Sequence, residues 1–370
     1  MGVPFLKKRD SSLSLGYHAT MTDLLGFTPR KILACQLRQI GDVLLSTPAY
    51  KLLKQRYPDA ELHVLTEKKC VSVLENNPHI DHVWAIDKKE LSNPLKAVAW
   101  YARVGRQGYD LIVDFQQLPR CKWVVGLSNA PVRLSFTPPW YNKFLYTHWT
   151  EMESGYAAKA KASVLAPLGI EWDMDKPELF LTDQEKSDAE ATLKQYGISG
   201  VPFITVDPSH RRKTRKWPAR HYISLLKILE EQYPDMKAVI LYGPGEKELA
   251  DKINAEAGNN VLVFDEMLSL RQMAAVLDRA VMHLGNCSSP RHFAVAVDTP
   301  SVVIHGATSP AWRFPSDDHL SLARRPGCCF CNKKSCKLGT FECLVEYLPE
   351  RVFSEFKEHL ERCLVSWSDY

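Results

Sequence analysis

A mostly apolar run of strand length occupies residues 32–37, and Arg38, Gln39, Ile40 and Gly41 then turn the chain. From Asp42 the period changes. Val43, Leu44 and Leu45, then Leu52 and Leu53, recur at helical spacing on one face. Pro58-Asp59 ends that helix, and residues 61–65 read as the next strand. The pattern is a β-turn-α-β unit, the seed of a parallel sheet. Asp42 falls at the helix start, where free N–H groups and the helix dipole favour a carboxylate, so a plain cap is one reading of it.

The alternation continues. Residues 68–76 read as a short helix, 82–86 as a strand, 94–106 as a helix and 110–115 as a strand. Gln116, Gln117 and Arg120 lie just beyond that strand, at the edge where parallel sheets bind ligands. Residues 157–168 form a helix, 179–181 a short strand and 183–196 a charged helix. A fresh series follows: strands at 203–206, 238–242, 261–264, 281–284 and 301–305, with helices at 220–231, 246–257 and 270–277 between them. Residues 349–363 form a last amphipathic helix. The fold class is therefore α/β, with two doubly wound Rossmann-like domains facing across a cleft. The expected divisions are an extension over 1–29, a first domain over 30–185, a second over 186–348, and a terminal helix and tail over 349–370.

Residues 136–156 interrupt this pattern with Phe136, Trp140, Tyr141, Phe144, Tyr146, Trp149 and Tyr156. They are either a mobile loop that meets a sugar or a lipid headgroup, or a satellite apolar cluster under a long loop, and the cluster is the reading adopted.

A chain of 370 residues, 45% hydrophobic, has material for two cores. Its net charge of +4 is too small to argue for nucleic acid, yet it suits anionic substrates or an anionic membrane surface. No run of 18 apolar residues is present, and the N-terminus lacks an apolar core of signal-peptide length. The expected location is the cytosol, peripheral at the inner membrane face. The ten Cys are then thiols or metal ligands rather than disulfides.

Chemistry concentrates in a few segments. His210, Arg211, Arg212, Lys213, Arg215 and Lys216 precede a helix expected to open at Pro218, a setting suited to a diphosphate or equally to a solvated loop. Gly243 and Gly245 form a turn before Glu246. Cys328, Cys331, Cys336 and Cys343 could hold zinc or an iron–sulfur cluster, although their spacing is atypical and free thiols or a local disulfide are preferred.

Residues 37–49, LRQIGDVLLSTPA, resemble the opening motif of the heptosyltransferases, glycosyltransferase family 9. Thr214-Arg215-Lys216-Trp217-Pro218 is similar to the family's phosphate-binding Thr-Lys-Arg-Trp-Pro. Residues 285–294 are similar to Gly-Asn-Asp-Ser-Gly-Pro-Met-His-Leu-Ala, with Cys287 in place of the Asp and Ser289 in place of the Gly. His305 to Pro310 matches the Gly-x-Thr-x-Pro turn. The resemblance implies an inverting, metal-independent transferase of the two-domain GT-B architecture, whose terminal helix crosses back to the first domain. Asp42 would be the base. Ser209, Arg215, Lys216, Gly243, Glu246, Cys287, Ser288, Ser289, His292, Gly306 and Thr308 would bind the nucleotide-sugar donor, such as ADP-heptose. Arg38, Gln116 and Arg120 would bind a lipid-linked saccharide acceptor. Cys287 and Ser289 keep a second reading open: a nucleotide-sugar-binding protein with little turnover.

Overall fold

In a computed structural model, residues 24–368 are described. Most of the expected extension, residues 1–23, lies outside them. Six strands build the first sheet: β1 (Lys31–Cys35), β2 (Glu61–Glu67), β3 (His82–Ile86), β4 (Leu111–Asp114), β5 (Val132–Phe136) and β6 (His148–Thr150). Six more build the second: β7 (Phe203–Asp207), β8 (Lys237–Ile240), β9 (Val261–Val263), β10 (Met282–Asn286), β11 (Ser301–Ile304) and β12 (His319–Leu322). The orders are β3-β2-β1-β4-β5-β6 and β12-β11-β10-β7-β8-β9. Neighbouring strands are parallel throughout, and the two sheets share one winding. The central strands are buried on both faces, which is why they read as unbroken apolar runs.

Three strands escape the sequence pattern. In β5, Arg133 and Ser135 alternate with Val132 and Leu134. Strand β6 has only three residues, and β12 follows an acidic turn. The strand expected at 179–181 does not form. Leu179 is buried, and the Phe180 carbonyl accepts from a side chain, Arg271, at 2.6 Å rather than from a ladder. Nor is the first helix continuous. It divides into Ile40–Leu44 and Thr47–Arg56, because Pro48 has no N–H to give and its ring would meet the Leu44 carbonyl. Thr47 Oγ1 donates to that carbonyl instead, at 2.8 Å. Residues 68–73 are 3₁₀ rather than α.

One core cluster runs through both sheets' layers, from Ile32, Val64 and Leu111 to Leu193, Ala274, Leu277 and Phe293. Helix Asp183–Gln195, which spans the expected boundary at 185/186, packs along helix Leu270–Leu277. The terminal helix, Pro349–Ser368, buries Val352, Phe356 and Leu360 against the second sheet's layer. Its described path ends at a crevice where Ser366 and Trp367 meet Lys186 and Glu190.

Arg271 joins the halves. It is buried, and its guanidinium forks onto both carboxylate oxygens of Glu185, with Nη2 to Oε2 at 2.7 Å. Nη1 also donates to the Ser72 carbonyl of the first domain at 2.9 Å. The Arg271 hydrogen bond holds Glu185 down to about 2. Its folded pKa lies below that of the unfolded chain, so the stabilisation is present above the unfolded value and is lost as pH falls towards about 2. Arg271→Ala should cost about 3 kcal/mol at neutral pH in denaturant titrations, as for removal of one partner of a largely buried pair. The difference from wild type should narrow below about pH 4.3, where an unfolded Glu takes up its proton.

Candidate active site

In each sheet the order reverses beside the first strand, and the crevice at that point is where doubly wound folds bind ligands. In the first domain it lies between β1 and β4 and is filled by the opening loop. The Gln116 side chain braces that loop: Oε1 accepts from Leu37 N at 3.1 Å and Arg38 N at 3.2 Å, and Nε2 donates to the Arg38 carbonyl. Expected to meet an acceptor, Gln116 instead uses its amide to hold Arg38, which is exposed. Arg120 lies 3.7 Å from Glu67 Oε1.

Asp42 is in the third position of its short helix rather than at the cap. Oδ2 accepts from Gln39 N at 3.1 Å, and Oδ1 lies 3.5 Å from Lys161 Nζ. Lys161 also donates to Gln36 Oε1, at 3.1 Å. Burial pulls the Lys161 pKa down, and Asp42 opposes the shift. Lys161 comes from helix Ala157–Ala162, over a hundred residues downstream, so nothing near Asp42 in the sequence points to it. A Cβ on Gly41 would sit 3.2 Å from His292 Cδ2. The opening turn therefore abuts the second domain, and glycine is what allows it.

Across the cleft the corresponding point lies between β7 and β10. Asn286, at the end of β10, clamps the basic loop there. Oδ1 accepts from Trp217 N at 2.9 Å, and Nδ2 donates to the Ser209 carbonyl at 3.2 Å. Trp217 is fully buried, and its Nε1 donates to the Tyr347 carbonyl at 2.8 Å. Pro218 caps helix Ala219–Gln232 rather than opening it. Within the loop, His210 is pushed down to about 4 by burial and Arg215, so it adds no charge at neutral pH. Arg215 has a buried Nε with no partner among the described residues, and its charge is felt at His210 and His305.

Behind the loop is a carboxylate the sequence did not single out. Asp207 is buried at the end of β7; Oδ1 accepts from Ser209 N at 3.1 Å, and Oδ2 accepts from Ser288 Oγ. Ser209 Oγ donates to Glu246 Oε2 at 2.6 Å, and Gly243 N donates to the same oxygen at 2.8 Å. Ser209, Gly243 and Glu246 thus bond to one another, Ser288 joins them only through Asp207, and the Ser288 N–H already donates to Asn286 O at 2.8 Å. Gly306 likewise faces protein. A Cβ there would strike the Thr214 carbonyl at 2.3 Å.

Around the cleft, several buried polar atoms have no hydrogen-bond partner among the described residues: Arg215 Nε, His292 Nδ1, Thr308 Oγ1, Arg291 Nε and Tyr156 OH. Burial, then Arg291, holds His292 well below the usual range, and the same two causes push His305 down to about 3. Both are neutral imidazoles. Arg291 is almost fully buried and pairs with no carboxylate among the described residues; its Nη1 lies 3.7 Å from Cys287 Sγ. A buried guanidinium N–H or hydroxyl without a partner is costly unless another group satisfies it. Ser289 and Lys216 are half-buried, and Ser289 Oγ would lie 3.6 Å from a Cβ on Gly41.

The cysteine segment closes behind the basic loop. Thr214 Oγ1 donates to the Lys333 carbonyl at 2.9 Å, and Asn332 N donates to the Ala307 carbonyl at 2.8 Å. Among the described residues no group of three or more His, Cys, Asp or Glu is arranged to hold a metal, although Cys328, Cys329, Cys331 and Cys343 lie near one another. All ten cysteines are free thiols.

A family model described as glycosyltransferase family 9 (heptosyltransferase) matches residues 98–341. The chain belongs to this family. It is similar to lipopolysaccharide heptosyltransferase 3 of Escherichia coli, 27% identical over 296 residues, covering 77% of this chain and 86% of the relative. It is also similar to lipopolysaccharide heptosyltransferase 2 of Salmonella typhimurium LT2, 24% identical over 360 residues, covering 88% and 97%. Among solved structures it resembles the family 9 glycosyltransferase of Veillonella parvula, with TM-score 0.78 at 19% identity, covering 90% and 98%. It also resembles E. coli ADP-heptose lps heptosyltransferase II, with TM-score 0.73 at 20% identity, covering 90% and 99%. The protein is a glycosyltransferase of the GT-B fold.

In this glycosyltransferase, burial raises Asp207 to about 6, against the lowering effect of Ser288 and Ser209. Its folded pKa exceeds that of the unfolded chain. The native state therefore holds the extra proton, and stability is lost as pH rises through about 6. Asp207→Asn should remove that dependence. In melts taken from pH 4 to pH 8, the variant should gain on wild type as pH rises.

Proposed function

We propose that the enzyme transfers a heptose or related sugar from an ADP-sugar donor to a lipopolysaccharide core saccharide, with inversion and without a metal ion. One juxtaposition carries the reading. The Asp42 carboxylate stands at the switch point of the first domain, and Arg215 Nε and Thr308 Oγ1, buried and unpartnered among the described residues, stand near that of the second. Asp42 takes the proton from an acceptor hydroxyl as that oxygen bonds to the anomeric carbon. The carbon–oxygen bond to the diphosphate breaks on the opposite face. The departing oxygen gains negative charge, which Arg215, Lys216 and the Thr308 hydroxyl receive. Lys161 keeps Asp42 in place and supplies its counter-charge. The heptosyltransferase names of the relatives, and a structural neighbour solved with ADP-2-deoxy-2-fluoro heptose, support this donor class.

Turnover with ADP-heptose, compared with other nucleotide sugars, tests the donor. Asp42→Asn should lower turnover by about 10² or more, the scale of general-base loss, while calorimetric titration of ADP gives a wild-type constant. Turnover equal to wild type would make Asp42 a structural acid only. Arg215→Ala should weaken ADP binding and lower kcat/KM together, by about 2–4 kcal/mol in the transition state, with Lys216→Ala doing less. Equal and negligible effects would place the diphosphate elsewhere.

A further inference from the structure

Three neighbouring elements of the first domain form an outer face that supplies none of the steps proposed above. They are helix Pro94–Gly105, helix Pro119–Gly126 and the 3₁₀ turn Trp140–Leu145. They pack edge to edge. A Cβ on Gly105 would lie 2.6 Å from the Val124 carbonyl, and one on Gly126 would lie 3.0 Å from Leu145 Cδ2. The aromatic stretch expected to tuck under a loop instead exposes Trp140 at 82%, Tyr141 at 57% and Phe144 at 77%. Trp123 and Leu95 on the adjoining helices are 51% and 82% exposed. Apolar side chains of this size in contiguous exposed elements mark an interaction site.

The charge on this stretch says what covers it. Residues 91–150 carry seven Lys or Arg and two acids, while the whole chain is only +4, so the remaining residues together are slightly acidic. Both acids are already engaged by the protein's own donors. Asp114 is buried and accepts from Tyr146 OH at 2.8 Å, and Asp110 accepts from Arg30 N at 2.8 Å. No acid lies on the three outer elements. Lys96 and Lys122 have no ion-pair partner among the described residues. Lys143 lies 5.4 Å over the Trp149 ring. Aromatic rings at the tip with lysines beside them fit the boundary between acyl chains and anionic headgroups, which a purely protein partner does not require.

We propose that this face docks on an anionic lipid bilayer, with Trp140, Tyr141 and Phe144 in the interface and Lys96, Lys122 and Lys143 against lipid phosphate. The second helix begins three residues past Gln116, which braces the Asp42 loop, so docking sets the cleft's acceptor side next to the headgroups. The inference goes beyond the transfer reaction, since lipid binding is measured without any substrate.

The test is co-sedimentation of the full chain with vesicles of phosphatidylethanolamine and phosphatidylglycerol, and with phosphatidylcholine alone. Binding should favour the anionic vesicles, weaken with salt, and shift tryptophan emission to the blue. The double variant Trp140→Ser, Phe144→Ser should bind about ten-fold or more weakly, with an unchanged melting temperature because both side chains are exposed. The triple variant Lys96→Gln, Lys122→Gln, Lys143→Gln should lose the preference for anionic lipid. Absence of sedimentation with either vesicle overturns the proposal. Full binding by the serine variant does so too, as does a wild-type dimer in light scattering that the serine variant converts to monomer.

Discussion

The geometry of the cleft depends on one guanidinium. Arg271 sits on a helix of the second domain, forks onto Glu185 in the connecting helix, and donates to the Ser72 carbonyl of the first domain. A planar group with five fixed donors can satisfy three chain segments at once, which lysine cannot. Burial strengthens each of these bonds, and it would make an unpaired Arg271 costly. The pair therefore also selects against arrangements in which the domains part at this point. On the far side, Tyr156, Phe314, Trp312 and Leu45 form an apolar contact between the halves, and Gly41 rests against His292.

With the halves placed, the two windings bring their switch points face to face. Each sheet alone offers an unremarkable crevice. Together they set an acid held by Lys161 opposite a wall of unpartnered donors. The division of labour within that wall is physical. Side chains that already bond to protein, such as Asn286, Ser209 and Glu246, shape the loop. Arg215 and Thr308 instead each keep a buried polar atom unpartnered among the described residues. Several residues expected to touch donor belong to the first group, because their hydrogen bonds are satisfied at short range within the protein.

Cys287 illustrates how one substitution alters a site's electrostatics. The resemblance places an Asp there, and Asp beside Arg291 would make a buried ion pair. Cys is a poor acceptor, so Arg291 stays buried at 3.7 Å from sulfur with no carboxylate partner among the described residues. The cleft is accordingly more cationic at this point, and holding Arg291 there without an anion carries a desolvation cost.

The sequence by itself determined the α/β class, the order of most strands and the contiguous motifs around Asp42, Arg215 and Thr308. These rest on short-range physics: apolar runs long enough for a buried strand, a period that switches to helical, and turn residues at fixed offsets. It could not reveal β5, β6 and β12, which are short and mix polar residues into their cores. It also could not reveal the break at Pro48, where one missing N–H outweighed a continuous apolar stripe. Lys161, Asp207, Arg271 and Arg291 were decided by tertiary structure alone. Each is a charged side chain whose meaning depends on burial and on a partner, or its absence, far along the chain. A lone Lys or Asp in a sequence reads as solvated surface until folding removes the water around it.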